Sequence, residues 1–238
     1  MLPRRLIGLL AIVTLAGCGG GSAQLKVSAA ASLQPPFTKL GSARYSFAGS
    51  DQLAAQIRAG GRPDVFAAAN SKLPDALYAD GLVERPVAFA RNQLVIAVAL
   101  GSPIRVINDL ARPGVTIATG SATVPVGAYT ATTLARLPAG ARAAIERNVR
   151  SRDPDVAGVV GKVSEGAVDA GFVYTSDVVA THGKLRAVRL PAALQPQVVY
   201  EAAVVRGSSH VAAARAFVRD LLHGRAAALM RRAGFAAP

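Results

Sequence analysis

Two long apolar runs limit how this chain can fold. Residues 91–99 (RNQLVIAVA) form the longest continuous strand candidate, and residues 197–205 (QVVYEAAVV) form a second about a hundred positions later. Between them a fresh alternation of extended and helical patterns starts at residues 115–119. Two long strands bracketing an inserted α/β unit predict a chain that crosses twice between two lobes, with a hinge at the crossings.

The flanking segments read the same way. Strands are predicted at 25–30, 43–48 and 63–70, alternating with helices at 33–40, 51–59 and 71–79; Pro35 and Pro36 are tolerable only in the first turn of the first helix. In the inserted unit, helices are predicted at 128–137 and 141–150 and from Val156 to near Glu165, with strands at 170–174 and 185–190. The tail returns to helices at 211–222 and 225–233. The fold class is therefore α/β: two mixed, mainly parallel sheets flanked by helices and joined by two hinge crossovers.

Several of these units share a chemical feature at their corners. In Ala29-Ala30-Ala31-Ser32-Leu33 and again in Phe47-Ala48-Gly49-Ser50-Asp51, an extended run ends on small residues and a serine stands at a helix start. Small side chains leave the backbone N–H groups approachable, and a helix N-terminus gathers unpaired donors and the positive end of the dipole, so each corner suits a small anion. A serine in that position equally serves as an ordinary N-cap, and only convergence of several corners favours a binding site. Further helix starts follow Gly120-Ser121-Ala122-Thr123-Val124-Pro125-Val126-Gly127 and Arg152-Asp153-Pro154-Asp155-Val156, and Gly171-Phe172-Val173-Tyr174 ends a strand on a tyrosine before Thr175-Ser176-Asp177.

The 238 residues, 51% hydrophobic and 17% charged, describe a folded chain and exclude disorder. A formal charge of +13 suggests an anionic partner only if the cations cluster, and here the arginines are scattered without interleaved aromatics, so no nucleic-acid partner is expected. Residues 1–17 read as an export signal: a basic head through Arg5, an apolar run too short to span a bilayer, and a close on small residues. Leu15-Ala16-Gly17-Cys18 resembles the lipobox of bacterial lipoproteins. Residues 18–24 would then be an acylated Cys18 and a flexible linker, holding the protein at the outer face of the cytoplasmic membrane in the cell envelope or periplasm. Cys18 is the only cysteine, so no disulfide forms within one chain.

Catalytic patterns are lacking. His182, His210 and His223 are far apart and read as surface or helix-end residues; there is no metal-ligand spacing, nucleophile elbow, P-loop or dinucleotide fingerprint. Asp153 and Asp155 are expected to cap the helix that follows them. No enzyme activity and no cofactor are expected.

Together the corners resemble the molybdate-binding proteins of bacterial ABC importers, within the extracytoplasmic substrate-binding proteins. The match runs through the two serine corners, Leu53-Ala54-Ala55-Gln56-Ile57, Pro63-Asp64-Val65-Phe66-Ala67, Val124-Pro125-Val126-Gly127-Ala128-Tyr129, Asp155-Val156, Gly171–Asp177 and Ala233-Gly234-Phe235, covering essentially the whole mature chain. The segment between Ser32 and Ser50 is shorter than is usual in the family, and Gly49 stands where some members have serine. The resemblance implies a periplasmic-binding-protein-like fold with one lobe from residues 25–92 plus 199–238 and the other from 93–198. It implies an oxyanion, molybdate or tungstate, held without a metal ion or salt bridge by the hydroxyls and N–H groups of Ser32 and Ser50, the N–H groups of Val126 and Val156, and the phenol of Tyr174. A monomer that delivers its ligand to ABC permease subunits is implied too. Sulfate or another tetrahedral anion is the alternative ligand; an effector-binding regulator is disfavoured by the export signal and the lack of a helix-turn-helix.

Overall fold

The computed structural model describes residues 24–41 and 43–238. The segments expected as an export signal and as acylated Cys18 lie outside the described residues.

Three strand–helix units open the chain. Strand β1 (Leu25–Ala30) leads through a 3-10 turn (Ala31–Leu33) into the short α1 (Gln34–Thr38), β2 (Ala43–Ala48) into α2 (Ser50–Arg58), and β3 (Val65–Ala68) into α3 (Lys72–Ala79). Both β2 and β3 pair with β1 in parallel, Val27 lying opposite Tyr45 on one side and Val65 on the other. Right-handed crossovers through helices require this arrangement. Strand β4 (Val87–Asn92) completes the first sheet's forward set, and β5 (Leu94–Ala99) enters the second sheet.

There the pattern recurs with β6 (Ile117–Gly120), α4 (Pro125–Ala135), α5 (Ala139–Asn148), β7 (Val149–Asp153), α6 (Val156–Ser164), β8 (Ala170–Tyr174), α7 (Thr175–Ala180) and β9 (Leu185–Arg189). Strand β10 (Val198–Val204) returns to the first sheet, followed by α8 (Val211–His223) and α9 (Arg225–Arg232). The sheet orders are β2-β1-β3-β10-β4 and β7-β6-β8-β5-β9. In each, one crossover strand, β10 or β5, runs antiparallel to its two neighbours, and the remaining four strands share a direction.

Two local expectations are corrected. Residues 91–99 are two strands of different sheets, separated at Gln93, whose N–H is taken by Asn92 Oδ1 at 2.9 Å rather than by a neighbouring strand. Residues 149–153 (VRSRD), expected as a helix end and a lead-in, form the edge strand β7, which pairs only with β6 and so tolerates alternate polar, half-exposed positions. Helix α4 also starts at Pro125, earlier than expected, with the proline where its missing N–H costs nothing.

The two crossings lie side by side. Gln195 Nε2 donates to the Leu94 carbonyl at 2.9 Å, the Thr175 N–H to the Gln93 carbonyl at 3.0 Å, and Asn92 Nδ2 to Ser176 Oγ at 2.8 Å. The main apolar core runs through both sheets, and a second cluster of Leu53, Ile57, Phe66, Leu77 and Val83 seals α2 and α3 onto the first sheet. Each such fully buried side chain stabilises by about 1.5–3 kcal/mol. Among the described residues, no helix is long and apolar enough to cross a membrane.

Candidate oxyanion site

All five residues expected from the sequence, Ser32, Ser50, Val126, Val156 and Tyr174, line one pocket. Its first wall is made by the ends of β1, β2 and β3 and the turns after them, where Ala30, Ala31, Ala48, Gly49 and Ala69 keep the backbone open. Its second wall is made by the starts of α4 and α6 and the end of β8. Strand ends at a point where chain direction diverges are where open α/β sheets form crevices.

The serines are not spent on capping. Neither the 3-10 turn after β1 nor α2 has a side-chain cap; Ser50 is the first residue of α2, with Gly49 as its N-cap. Ser32 Oγ instead lies 2.8 Å from Tyr200 Oη, and Ser50 Oγ accepts the Ala69 N–H at 3.1 Å. Both serines are buried.

The helix starts supply backbone donors. In α4 the proline at the first position carries no N–H, and the N–H groups of Val126 and Gly127 fall before the first helical bond, which is donated by Ala128 to Val124. In α6 the Asp155 Oδ1 caps the Gly158 N–H at 3.0 Å, leaving the N–H of Val156 without a partner inside the helix. Asp155 thus caps as expected. Asp153 does not: it is the buried last residue of the edge strand β7, where its carboxylate takes Lys162 Nζ and the Ser151 hydroxyl, the latter at 2.9 Å.

Tyr174 is 1% exposed, and its hydroxyl has no hydrogen-bond partner among the described residues. An unsatisfied buried hydroxyl costs about 1–3 kcal/mol, which a ligand oxygen would recover. Burial, reinforced by the neighbouring phenol of Tyr200, pushes the Tyr174 pKa well above the ordinary value of 10.0, so the phenol stays protonated and able to donate. The ring is held edge-on between Tyr129 and Tyr200, with centroids at 6.4 and 6.0 Å.

Below it, Asp177 is fully buried and accepts the Tyr174 N–H at 2.8 Å. Desolvation raises its pKa to about 7; the backbone hydrogen bond opposes this and the Asp155 charge adds to it. Among the described residues, no Lys or Arg lines the pocket. No cluster of His, Cys, Asp and Glu suited to a metal ion occurs among the described residues. The wall thus presents uncharged donors and helix starts, suited to a small anion, beside one carboxylate, Asp155, whose Oδ1 is taken by the Gly158 N–H.

Two contributors escaped the sequence reading. Tyr200, on β10, reaches Ser32 across 168 positions; Asn92, at the crossover, donates to Ser176 Oγ at 2.8 Å. Gly49 packs so closely on the opposite wall that a Cβ there would lie 2.4 Å from the Pro154 carbonyl oxygen.

The chain is similar to known proteins. The model for bacterial extracellular solute-binding proteins matches residues 25–236. A molybdate-binding protein of Mycobacterium tuberculosis is 34% identical over 262 residues, an alignment that takes in all of this chain and 98% of the relative. The periplasmic molybdate-binding protein of Azotobacter vinelandii superposes with a TM-score of 0.79 at 23% identity, over 90% of this chain and all of the other. The sulfate-binding protein SubI of M. tuberculosis superposes with a TM-score of 0.76 at 21% identity, over 89% of this chain and 85% of the other. With the family match running from β1 to beyond α9, and the same two-sheet fold in both solved relatives, the chain belongs to the bacterial extracellular solute-binding proteins.

Proposed function

We propose that this protein captures molybdate, or tungstate, in the cleft between two lobes and delivers it to the permease of an ABC importer. The lobes are residues 25–92 plus 199–238 and residues 93–198, and the working form is a monomer tethered through acylated Cys18. The observation that carries the reading is the pocket itself: serine hydroxyls from one wall, helix-start N–H groups and an orphaned phenol from the other, and no cation between them. A tetrahedral anion bonded to both walls favours the closed arrangement, because a ligand shifts an equilibrium only by its differential affinity for the two states. The name of the 34% identical relative supports molybdate as the guest.

Donor chemistry also separates anions. Molybdate, tungstate and sulfate are unprotonated near neutral pH, whereas phosphate carries a proton that needs an acceptor. Sulfate presents the same tetrahedral arrangement, and pocket size must distinguish it. Thermal-shift and calorimetric titration of the mature protein with molybdate, tungstate, sulfate and phosphate test the reading. Ligand at about 100 times its Kd adds roughly 2.7 kcal/mol of stability. Molybdate and tungstate are expected to stabilise most; a shift with sulfate alone would move the assignment to the sulfate alternative. For the anchor, Cys18→Ser is expected to release the exported protein from the membrane fraction.

A further inference from the structure

We infer that Phe235, in the tail after α9, is a positioning residue of the oxyanion site: it backs the ring of Tyr200 and so fixes where the Tyr200 hydroxyl meets Ser32. The inference rests on the oxyanion reading and deepens it.

Backbone geometry places the tail on both sides of that ring. Helix α9 ends in a Schellman turn, in which the Phe235 N–H donates to the Met230 carbonyl and the Gly234 N–H to the Arg231 carbonyl, both at 3.1 Å. Gly234 takes the left-handed φ of +91° that such a turn requires and that side chains resist. Two residues on, Ala236 joins the edge of the first sheet, exchanging both backbone hydrogen bonds with Arg91 of β4, each at 2.9 Å. Phe235 is held at 234 and at 236, and it is buried. The turn also lies close to α7, the helix that starts after Tyr174: a Cβ on Gly234 would stand 3.2 Å from Val179 Cγ2 and 3.5 Å from Ser176 Cα.

Phe235 meets Tyr200 edge-on, with ring centroids 5.2 Å apart at 85°. This is closer than Tyr200 comes to Phe89, at 6.2 Å, or to Tyr174, at 6.0 Å. Tyr200 in turn meets a candidate donor from each wall, its ring against Tyr174 and its hydroxyl 2.8 Å from Ser32 Oγ. Whichever of the two hydroxyls donates, a separation of 2.8 Å tolerates only a few tenths of an ångström of drift before the bond weakens. The place of the Tyr200 ring therefore sets the place of the Ser32 hydroxyl. Neither Tyr200 nor Phe235 lines the pocket, so Phe235 acts on the anion through Ser32 and not by touching it.

The test is a double-mutant cycle on molybdate affinity, read by calorimetry with the mature protein. Phe235→Leu keeps an apolar side chain but removes the ring edge. It is expected to weaken binding about five-fold when Tyr200 is present and less than about two-fold in a Tyr200→Phe background, where the link to Ser32 is already gone. The melting temperature, which records lost packing alone, is expected to fall by the same amount in both backgrounds. Unchanged affinity in folded Phe235→Leu, or equal losses of affinity in the two backgrounds, would overturn the inference. Should Phe235→Leu fail to fold, Ala236→Pro is read by the same criterion: it deletes the N–H donated to Arg91 and loosens the tail while leaving every ring intact. Failure of the wild-type protein to bind molybdate, tungstate, sulfate or phosphate would instead remove the functional reading itself, so the two failures are distinguishable.

Discussion

At the scale of single residues, the site works by leaving hydrogens free where an anion needs them. Tyr174→Phe removes one donor and is expected to weaken molybdate binding about five- to ten-fold, while Ser32→Ala with Ser50→Ala should cost about a hundred-fold; calorimetric titration decides, and wild-type affinity in the double variant would refute the site. Because burial holds the Tyr174 phenol well above its ordinary range, no loss of affinity from its ionisation is expected up to about pH 9. Asp177 behaves in the opposite sense to a surface carboxylate. Its folded-state pKa of about 7 exceeds the ordinary 3.8, so the folded state holds the proton more tightly and stability falls as pH rises from about 4 to about 7. Asp177→Asn keeps an acceptor for the Tyr174 N–H and should flatten that slope, by on the order of a few kcal/mol at pH 8, in urea titrations across pH. The serines and Tyr174 were legible in the sequence because each sits where an extended run meets a helix start. Tyr200 was not: it lies inside an apolar run, and nothing local places it beside a serine 168 positions away.

At the scale of elements, the pocket depends on how closely two helix starts and three strand ends can approach. Gly49 is the tightest point between the walls: an added Cβ would lie 2.4 Å from the Pro154 oxygen and 3.1 Å from Val124 Cγ1. Its φ of −57° is ordinary, so the glycine is required by space rather than by backbone conformation. Gly49→Ala should therefore keep the fold but disfavour closure, lowering molybdate affinity about ten-fold or more while leaving the ligand-free melting temperature nearly unchanged. An equal fall in the ligand-free melting temperature would show that the contact is structural instead. The strand–helix periodicity that built this region was readable because β1, β3, β5 and β8 are buried on both faces and appear as apolar runs. Strand β7 was not, since an edge strand with alternating arginines carries neither an apolar run nor a helical stripe. The break at Gln93 was hidden for the converse reason, both flanking strands being apolar enough to read as one.

At the scale of the whole molecule, charge and contact are divided between surface and site. The chain carries 27 Lys and Arg against 14 Asp and Glu, yet none of those cations lines the pocket. A dianion approaching from a distance meets the summed positive field, whereas one already bound meets hydroxyls, N–H groups and helix ends, with the capping carboxylate of Asp155 on the same wall and, among the described residues, no cation lining it. Salt should therefore act on the two rate constants unequally. Raising ionic strength from about 0.01 M to about 1 M shortens the screening length from about 30 Å to about 3 Å, and should lower the association rate by roughly an order of magnitude. The dissociation rate should change by less than about two-fold, because screening by mobile ions barely reaches an enclosed group. The chain has no tryptophan and five tyrosines, with Tyr174 at the pocket held edge-on between Tyr129 and Tyr200, so stopped-flow tyrosine fluorescence reads binding directly. If dissociation accelerated with salt as steeply as association slowed, a cation would have to touch the bound anion, and a site built from uncharged donors would be the wrong description of this protein.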